Sequence, residues 1–387
     1  MLSRSPDPSQ LEDVVDVVIV GIAARGLAAA ARRAGLRALV FDLFGDDDTR
    51  ALAVEAIPLR RVGGLHIDSD DLFEQLSIHA GPDLPVVLGT GFEDAPGMVE
   101  RLQRGFRLIG SGPQTVAALK EPLMLDALLT DLAVPHPRLF ADAVPDGVAT
   151  LEKRVGGSGG DHVRPASKAH GKGWYLQERI EGRSVSALFL GNGTDARLLA
   201  FSEQWTAPAP DAPYRYGGAA GPVRLAPAVE AEVEAALKGI VAATGLVGLA
   251  SADLIVGDTG WNLIEINPRP GATLDVFDHP PLPPLMELHV AACEGRLPAL
   301  PVLDPGAVGE VRAAAIFYAP CPFEVRLDPL PDWIADRPAQ GTRIEEGEPV
   351  CTVLATGNDI NDARENLARR TDHLWRALSK ARRKAAE

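Results

Sequence analysis

Two carboxylates and an amide stand close together in the stretch 246–267. Asp253 lies in one apolar run, 246–256. Glu265 and Asn267 lie in the next, 261–267, and Pro268-Arg269-Pro270-Gly271 follows. Gly257-Asp258-Thr259-Gly260 between the runs is a hairpin turn signal. Residues two apart on a strand point to one face, so Glu265 and Asn267 share a side. If the runs are antiparallel neighbours, Asp253 can fall on that side too. Two carboxylates and one amide oxygen make a hard, oxygen-only site suited to Mg²⁺ with phosphates completing the shell. Arg269 could clamp a transferring phosphoryl group with two parallel hydrogen bonds. The competing reading is a polar, solvated hairpin face ending in a turn, and the spacing alone leaves both open.

A second candidate is the run Gly156-Gly157-Ser158-Gly159-Gly160, preceded by Glu152-Lys153-Arg154. A glycine loop exposes backbone N–H groups and can fold over a triphosphate. Lys153 could reach a phosphate oxygen as a point charge. No Gly-Lys-[Ser/Thr] follows, so this is not a Walker A loop, and a flexible linker is the alternative. Gln177-Glu178-Arg179-Ile180-Glu181-Gly182 reads as a strand and its exit, where backbone groups could hold an adenine; an exposed strand is the plainer reading. Gly21-Ile22-Ala23-Ala24-Arg25-Gly26, with Asp42 about 20 residues on, nearly matches a dinucleotide fingerprint, but Ala replaces its second glycine. Trp205 and Tyr214-Arg215-Tyr216-Gly217-Gly218 could line an acceptor pocket, with Arg215 for a substrate carboxylate; a packed or ordered surface loop competes. The eight histidines form no spaced metal motif, and His162 beside the glycine run is the one to test first.

The elements around these residues follow from periodicity and breakers. Residues 14–20 are β-branched and read as a buried strand, 23–33 as an alanine-rich helix, and 37–41 as the next strand. This βαβ pattern implies a parallel sheet. Further strands are expected at 85–88 and 106–109, with a helix at 96–104 between them. Helices follow over 114–132, restarted at Pro122. Strands are expected at 151–154 and 174–180, and helices at 230–243 and 285–293. After Pro301 the composition reads as loop and short strand, then a basic helix from 362 to 387. The boundaries fall near 112 and 300, giving units 1–112, 113–300 (with a flap at about 146–185) and 301–387.

The chain has 387 residues, 38 Lys+Arg against 53 Asp+Glu, and a formal net charge of −15. That argues against a nucleic-acid or anionic-membrane protein held by bulk charge. A hydrophobic share of 46% argues for a globular protein. Three separated cysteines make neither a disulfide framework nor a zinc ribbon. The first 13 residues hold no apolar h-region, and no run reaches the ~18–20 residues of a membrane span. A soluble cytoplasmic protein is expected, with no nucleic-acid or membrane partner.

Lys120, Lys153 with its glycine loop, Gln177-Glu178, Asp253 and Glu265-x-Asn267-Pro268-Arg269 occur in the order of the ATP-grasp superfamily, which the chain resembles over roughly 110–300. The N-terminal region resembles the Rossmann-like domain that precedes the ATP-grasp fold in these enzymes. Residues 341–361 look like the small C-terminal domain of the branch related to biotin carboxylase. Within that branch the chain resembles predicted ATP-dependent carboligases near the tyramine–glutamate ligase of methanofuran biosynthesis. The resemblance implies an α/β and α+β multidomain fold and an enzyme that uses ATP and Mg²⁺, with Mn²⁺ an acceptable substitute. It implies that Lys120 and Lys153 contact ATP phosphates, and that Gly156, Gly157, Ser158, Gly159 and Gly160 form the mobile flap. Gln177, Glu178 and the backbone of Arg179 and Ile180 would hold the adenine; Glu181 is nearest for the ribose. Asp253, Glu265 and Asn267 would hold one or two Mg²⁺, and Arg269 with Lys153 would stabilise the transferring phosphoryl group. Arg179 departs from the family, which usually has an aromatic residue after the hinge glutamate.

The expected activity is a carboxylate–amine ligase acting through an acyl phosphate on small molecules, with glutamate ligation in a C1-carrier pathway (methanofuran or tetrahydromethanopterin type) as its specific form. Arg215 and Tyr216 are the substrate-side candidates, and a homodimer is one expected assembly. A carboxylase or phosphotransferase would use the same ATP machinery. Two other classes stay open: an NAD-dependent dehydrogenase built on Gly21, Gly26 and Asp42, and a nucleotide-binding module without turnover.

Overall fold

A computed structural model describes residues 15–140, 144–168, 171–258, 260–326 and 329–386. The expectations for residues 1–14 and for Thr259 and Glu387 lie outside them.

Val17–Val20 is buried at every position, as a strand covered on both faces must be. It pairs in parallel with Ala38–Asp42 on one side and Pro85–Leu88 on the other. Glu55–Pro58 and Arg107–Leu108 complete a five-stranded parallel sheet. The alanine-rich helix Arg25–Arg33 packs on it. Pro113–Lys120 and Pro122–Asp131 follow as two helices. Pro122 starts the second, and the Glu121 side chain accepts from the Met124 amide at its N-terminus.

A four-stranded antiparallel sheet comes next, ordered Arg164–Pro165, Thr150–Arg154, Trp174–Glu178 and Leu139–Phe140. It carries the glycine run between its strands. The largest sheet has eight strands. Gly260–Asn267 lies at one edge, beside Val247–Gly257, then Arg183–Asn192, Ala196–Thr206 and Tyr216–Val223. Alternate residues of Arg183–Asn192 sort to its two faces: Val185, Ala187 and Phe189 join a core with Val233, Leu237 and Ile240 of helix Pro227–Thr244, while Leu188 and Leu190 face helix Leu285–Cys293.

The region after 301 differs from the sequence expectation. Val311–Tyr318 and Pro349–Gly357 are full strands, and Val311–Tyr318 pairs directly with Tyr216–Val223. The large sheet therefore runs across residue 300. The terminal helix Ile360–Ala386 covers this extension through Ala363, Leu367, Leu374 and Leu378. Tyr216–Val223 is also a strand where a loop was expected at its start. Its glycines allow close packing: a Cβ at Gly218 would lie 2.5 Å from the Ala314 carbonyl oxygen.

Candidate active site

Asp253 and Glu265 are direct partners across the antiparallel pair, and Ser251 faces Asn267. The expected face therefore forms: Asp253, Glu265 and Asn267 share one side. Ser186, on the strand beyond, pairs with Asp253 and donates its hydroxyl to Oδ1 at 2.8 Å. Asn267 Nδ2 and Gln204 Nε2 also donate to Asp253, at 3.2 and 3.3 Å. The Lys120 ammonium, at the end of its helix, donates to Glu265 and, at 3.0 Å, to Asn267 Oδ1. Burial and the neighbouring Glu265 carboxylate push the Asp253 pKa up. Burial pushes Glu265 up as well, but the Lys120 ammonium and Lys153 outweigh it and hold Glu265 below the usual range.

The residues fit a hard cation. Glu265 and Asn267 already direct oxygens at one positive charge, the Lys120 ammonium, and the Asp253 carboxyl stands beside them, its charged form disfavoured by burial and by Glu265, both of which a bound cation would offset. Among the described residues no group of three His, Cys, Asp or Glu is placed to hold a metal, so the set here is two carboxylates plus an amide oxygen.

Lys153 is buried on Thr150–Arg154, opposite Tyr175, and among the described residues its ammonium makes no hydrogen bond. Burial lowers its pKa, while Glu265 and Asp253 raise it. The glycine run after it is folded in. A Cβ at Gly156 would lie 2.7 Å from Asp94 Cα, one at Gly157 would lie 2.5 Å from the His162 ring, and one at Gly160 would lie 2.1 Å from the Tyr214 oxygen. Gly160 also has φ +78°, a conformation that suits glycine. The Tyr216 amide donates to the Gly159 oxygen at 2.8 Å. His162 lies half-buried beside Gly157; burial, then Lys153, Arg154 and Lys120, against Glu265, bring its pKa down to about 4.

The expected hinge sits at the end of Trp174–Glu178. The Glu178 carboxylate is held by Arg138 Nε and Nη2 at 2.8 and 3.0 Å, so it is anchored to the neighbouring chain segment. The Arg179 amide donates to Ala149. Among the described residues neither the Arg179 carbonyl nor the Ile180 amide makes a hydrogen bond, leaving one acceptor and one donor at this edge. Glu181 is exposed, 3.7 Å from Arg179. Gln177 is buried within the strand.

Arg269 meets a partner that sequence reasoning missed. Its Nε and Nη2 each lie 2.7 Å from Glu93 Oε1. Glu93 follows the fourth parallel strand, in the Gly89–Asp94 segment, and its only sequence signal is position after a Gly-Thr-Gly turn. Arg215 is more committed than expected: its guanidinium donates to the Ala207 and Gly347 carbonyls, both at 3.0 Å, and stacks 3.6 Å from the Tyr318 ring centroid. The Tyr216 phenol is pushed up by burial and by the nearby Asp253.

In the N-terminal loop the acidic residue of the near-fingerprint is engaged by its own backbone. Asp42 is buried and accepts from the Ala24 amide at 3.2 Å and the Gly45 amide at 2.7 Å. Its carboxylate thus stands at the helix N-terminus, where a pyrophosphate would have to sit. Arg25, the first residue of that helix, is spent on Asp275 and Asp336.

Residues 123–273 match the family model of the ATP-grasp domain. A comparison with curated proteins finds no match. Among solved structures, biotin carboxylase from Campylobacter jejuni in its β,γ-ATP complex superposes with TM-score 0.68 at 12% identity, over 90% of this chain and 89% of that one. The biotin carboxylase domain of Hydrogenobacter thermophilus 2-oxoglutarate carboxylase, complexed with MgADP, ADP and bicarbonate, gives 0.67 at 13%, over 88% and 86%. Phosphoribosylamine–glycine ligase from Thermotoga maritima gives 0.66 at 15%, over 94% and 96%. The chain carries an ATP-grasp domain within a mixed α/β multidomain fold like that of biotin carboxylase.

Proposed function

We propose that this protein is an ATP- and Mg²⁺-dependent carboxylate–amine ligase that works through an acyl phosphate. One observation carries the reading: Asp253, Glu265 and Asn267 share a face with Lys120 and lie within the field of Lys153, the residue that precedes the glycine run in the chain. Bound on that face, Mg²⁺ would supply charge neutralisation for the β- and γ-phosphates. Lys120 and Lys153 would hold phosphate oxygens, and the free Arg179 carbonyl and Ile180 amide would meet the adenine edge. Glu178, fixed by Arg138, shapes that edge, with Gln177 behind it and Glu181 nearest the ribose. The glycines 156, 157, 159 and 160, with Ser158, exclude water from the reacting phosphate.

A substrate carboxylate oxygen attacks the γ-phosphorus, the bond to the ADP oxygen breaks, and an acyl phosphate forms. An amine then attacks the acyl carbon; the C–N bond forms, phosphate leaves with the C–O electron pair, and the amine loses a proton. Arg269 and Lys153 offset charge on the transferring group. No side-chain nucleophile is required. Arg215 keeps the donors not used by Ala207 and Gly347 for a substrate carboxylate, and Tyr216 lines the same side. The finer reading is glutamate ligation in a C1-carrier pathway, in the cytoplasm, with Mn²⁺ able to replace Mg²⁺ and a homodimer as the assembly.

The test is ADP release from MgATP over a panel of carboxylates and amines led by glutamate, with mass detection of product. A ligated product formed with ADP is expected. A carboxylated product formed from bicarbonate would favour a carboxylase, and NADH binding without MgATP binding would overturn the ligase.

A further inference from the structure

Arg269 is the proposed phosphoryl clamp, and it lies just beyond the end of strand Gly260–Asn267. Pro268 and Pro270 flank it, and among the described residues its Nη1 has one hydrogen bond, to the Pro270 oxygen at 3.4 Å. The fixing group comes from the parallel-sheet region. Glu93 Oε2 accepts from the amides of Gly91 and Phe92 at 2.7 and 2.9 Å, which locks the carboxylate to its own loop. That loop is tied to the central parallel strand, because the Gly89 amide donates to Val20 and the Ile22 amide to Thr90. Glu93 Oε1 takes the Nε and Nη2 edge of Arg269.

A guanidinium has five N–H donors on a planar fork. With the Nε edge spent on Glu93, the edge carrying Nη1 remains for a second anion. We propose that Glu93 is a positioning residue that holds Arg269 with this edge turned toward the transferring phosphoryl group, and so couples that step to the seating of the parallel sheet. This rests on the ligase reading. Both groups are poorly exposed, with side-chain exposures of 14% for Arg269 and 4% for Glu93. Burial raises the Glu93 pKa, but Arg269 and Lys120 outweigh it and hold it at about 2, so the carboxylate is charged in the working range. The next residue, Asp94, is the surface on which Gly156 of the flap rests, so flap and clamp share one support.

The experiment compares binding of MgADP alone with MgADP plus orthovanadate, a mimic of the transferring phosphoryl group, by calorimetry on the full chain. Glu93→Gln keeps the shape but puts an NH₂ group against the Gly91 and Phe92 amides or against Arg269. MgADP affinity should stay within about twofold, while the tightening by vanadate should fall about tenfold or more, as a displaced catalytic group allows. Arg269→Lys should lose the same amount, and the double variant no more than either. Glu93→Asp, which keeps the charge, should recover part of the tightening and serves if the Gln variant does not fold. Full vanadate tightening in Glu93→Gln, additive losses in the double variant, or equal weakening of both complexes would overturn the proposal and leave the ligase reading intact. A parent that binds no MgADP would overturn the ligase reading as well.

Discussion

Asp253 and Glu265 are the residues on which the chemistry turns, because two carboxylates in direct register repel unless a cation stands between them. Lys120 offsets part of that repulsion from the Glu265 side, and Ser186 and Asn267 brace Asp253. Glu265→Ala and Asp253→Ala should lower ADP release at least about 100-fold, since each removes a charge that a bridging cation needs. Both variants should stay folded by circular dichroism; release at the parent rate would mean that the cation site is elsewhere. This face was readable in the sequence, because a strand's period of two puts residues 265 and 267 together and a short turn brings Asp253 across. Glu93 was not readable. It reaches Arg269 across 176 positions of chain, and no local pattern encodes such a contact. The commitments of Arg215 to Ala207, Gly347 and Tyr318 were hidden for the same reason.

Among the elements, the flap shows how backbone geometry and function meet. Gly159 and Gly160 both have positive φ, +72° and +78°, but they differ in surroundings. A Cβ at Gly159 meets open space, whereas one at Gly160 would strike the Tyr214 carbonyl. Gly159→Ala should therefore cost only left-handed strain, about 1 kcal/mol, and leave MgATP affinity nearly unchanged. Gly160→Ala should hold the flap off residues 214–216 and weaken MgATP binding about tenfold or more, by calorimetry. Equal affinities for the two variants would show that the Tyr214 contact does not govern closure. Thr150–Arg154 and Trp174–Glu178 were legible on either side of the glycine break, whereas the two-residue strand Arg164–Pro165 between them was not. Arg183–Asn192 was not identified because it is buried on both faces and lacks alternation. Tyr216–Val223 escaped because Gly and Ala are poor strand formers, and only its packing against Trp205 and Ala314 explains their use.

At the scale of the whole molecule, the N-terminal and C-terminal parts are stitched by a seam of carboxylates. The Asp48 carboxylate accepts from the Asp336 and Arg337 amides at 2.9 and 2.8 Å, and the Asp47 amide donates to Arg337 at 2.9 Å. Asp46 lies in this seam, 8% exposed, and its side chain caps no amide of the helix that it precedes. Burial, then Asp336, Asp42 and Asp48, against Arg25, push its pKa up to about 8. Its folded-state pKa is thus above the ordinary 3.8, so its contribution to stability is full below about pH 4 and is lost as the pH rises through about 8. Asp46→Asn should raise the melting temperature, with a larger gain near pH 9 than near pH 5; an equal gain at both would contradict the assignment. Four of the five strands of the parallel N-terminal sheet were legible from βαβ periodicity; the edge strand Glu55–Pro58 was not. The sheet crossing residue 300 was not, because the pairing of Val311–Tyr318 with Tyr216–Val223 spans a long separation, and our proposed boundary there divides the sequence while the sheet stays continuous. The central claim is that a substrate carboxylate oxygen attacks the γ-phosphate. Its most direct measurement uses the panel carboxylates labelled with ¹⁸O, MgATP and amine, followed by mass analysis of the released phosphate. The account predicts ADP, an amide product and one ¹⁸O atom in the phosphate; amide formation with phosphate free of ¹⁸O would contradict it.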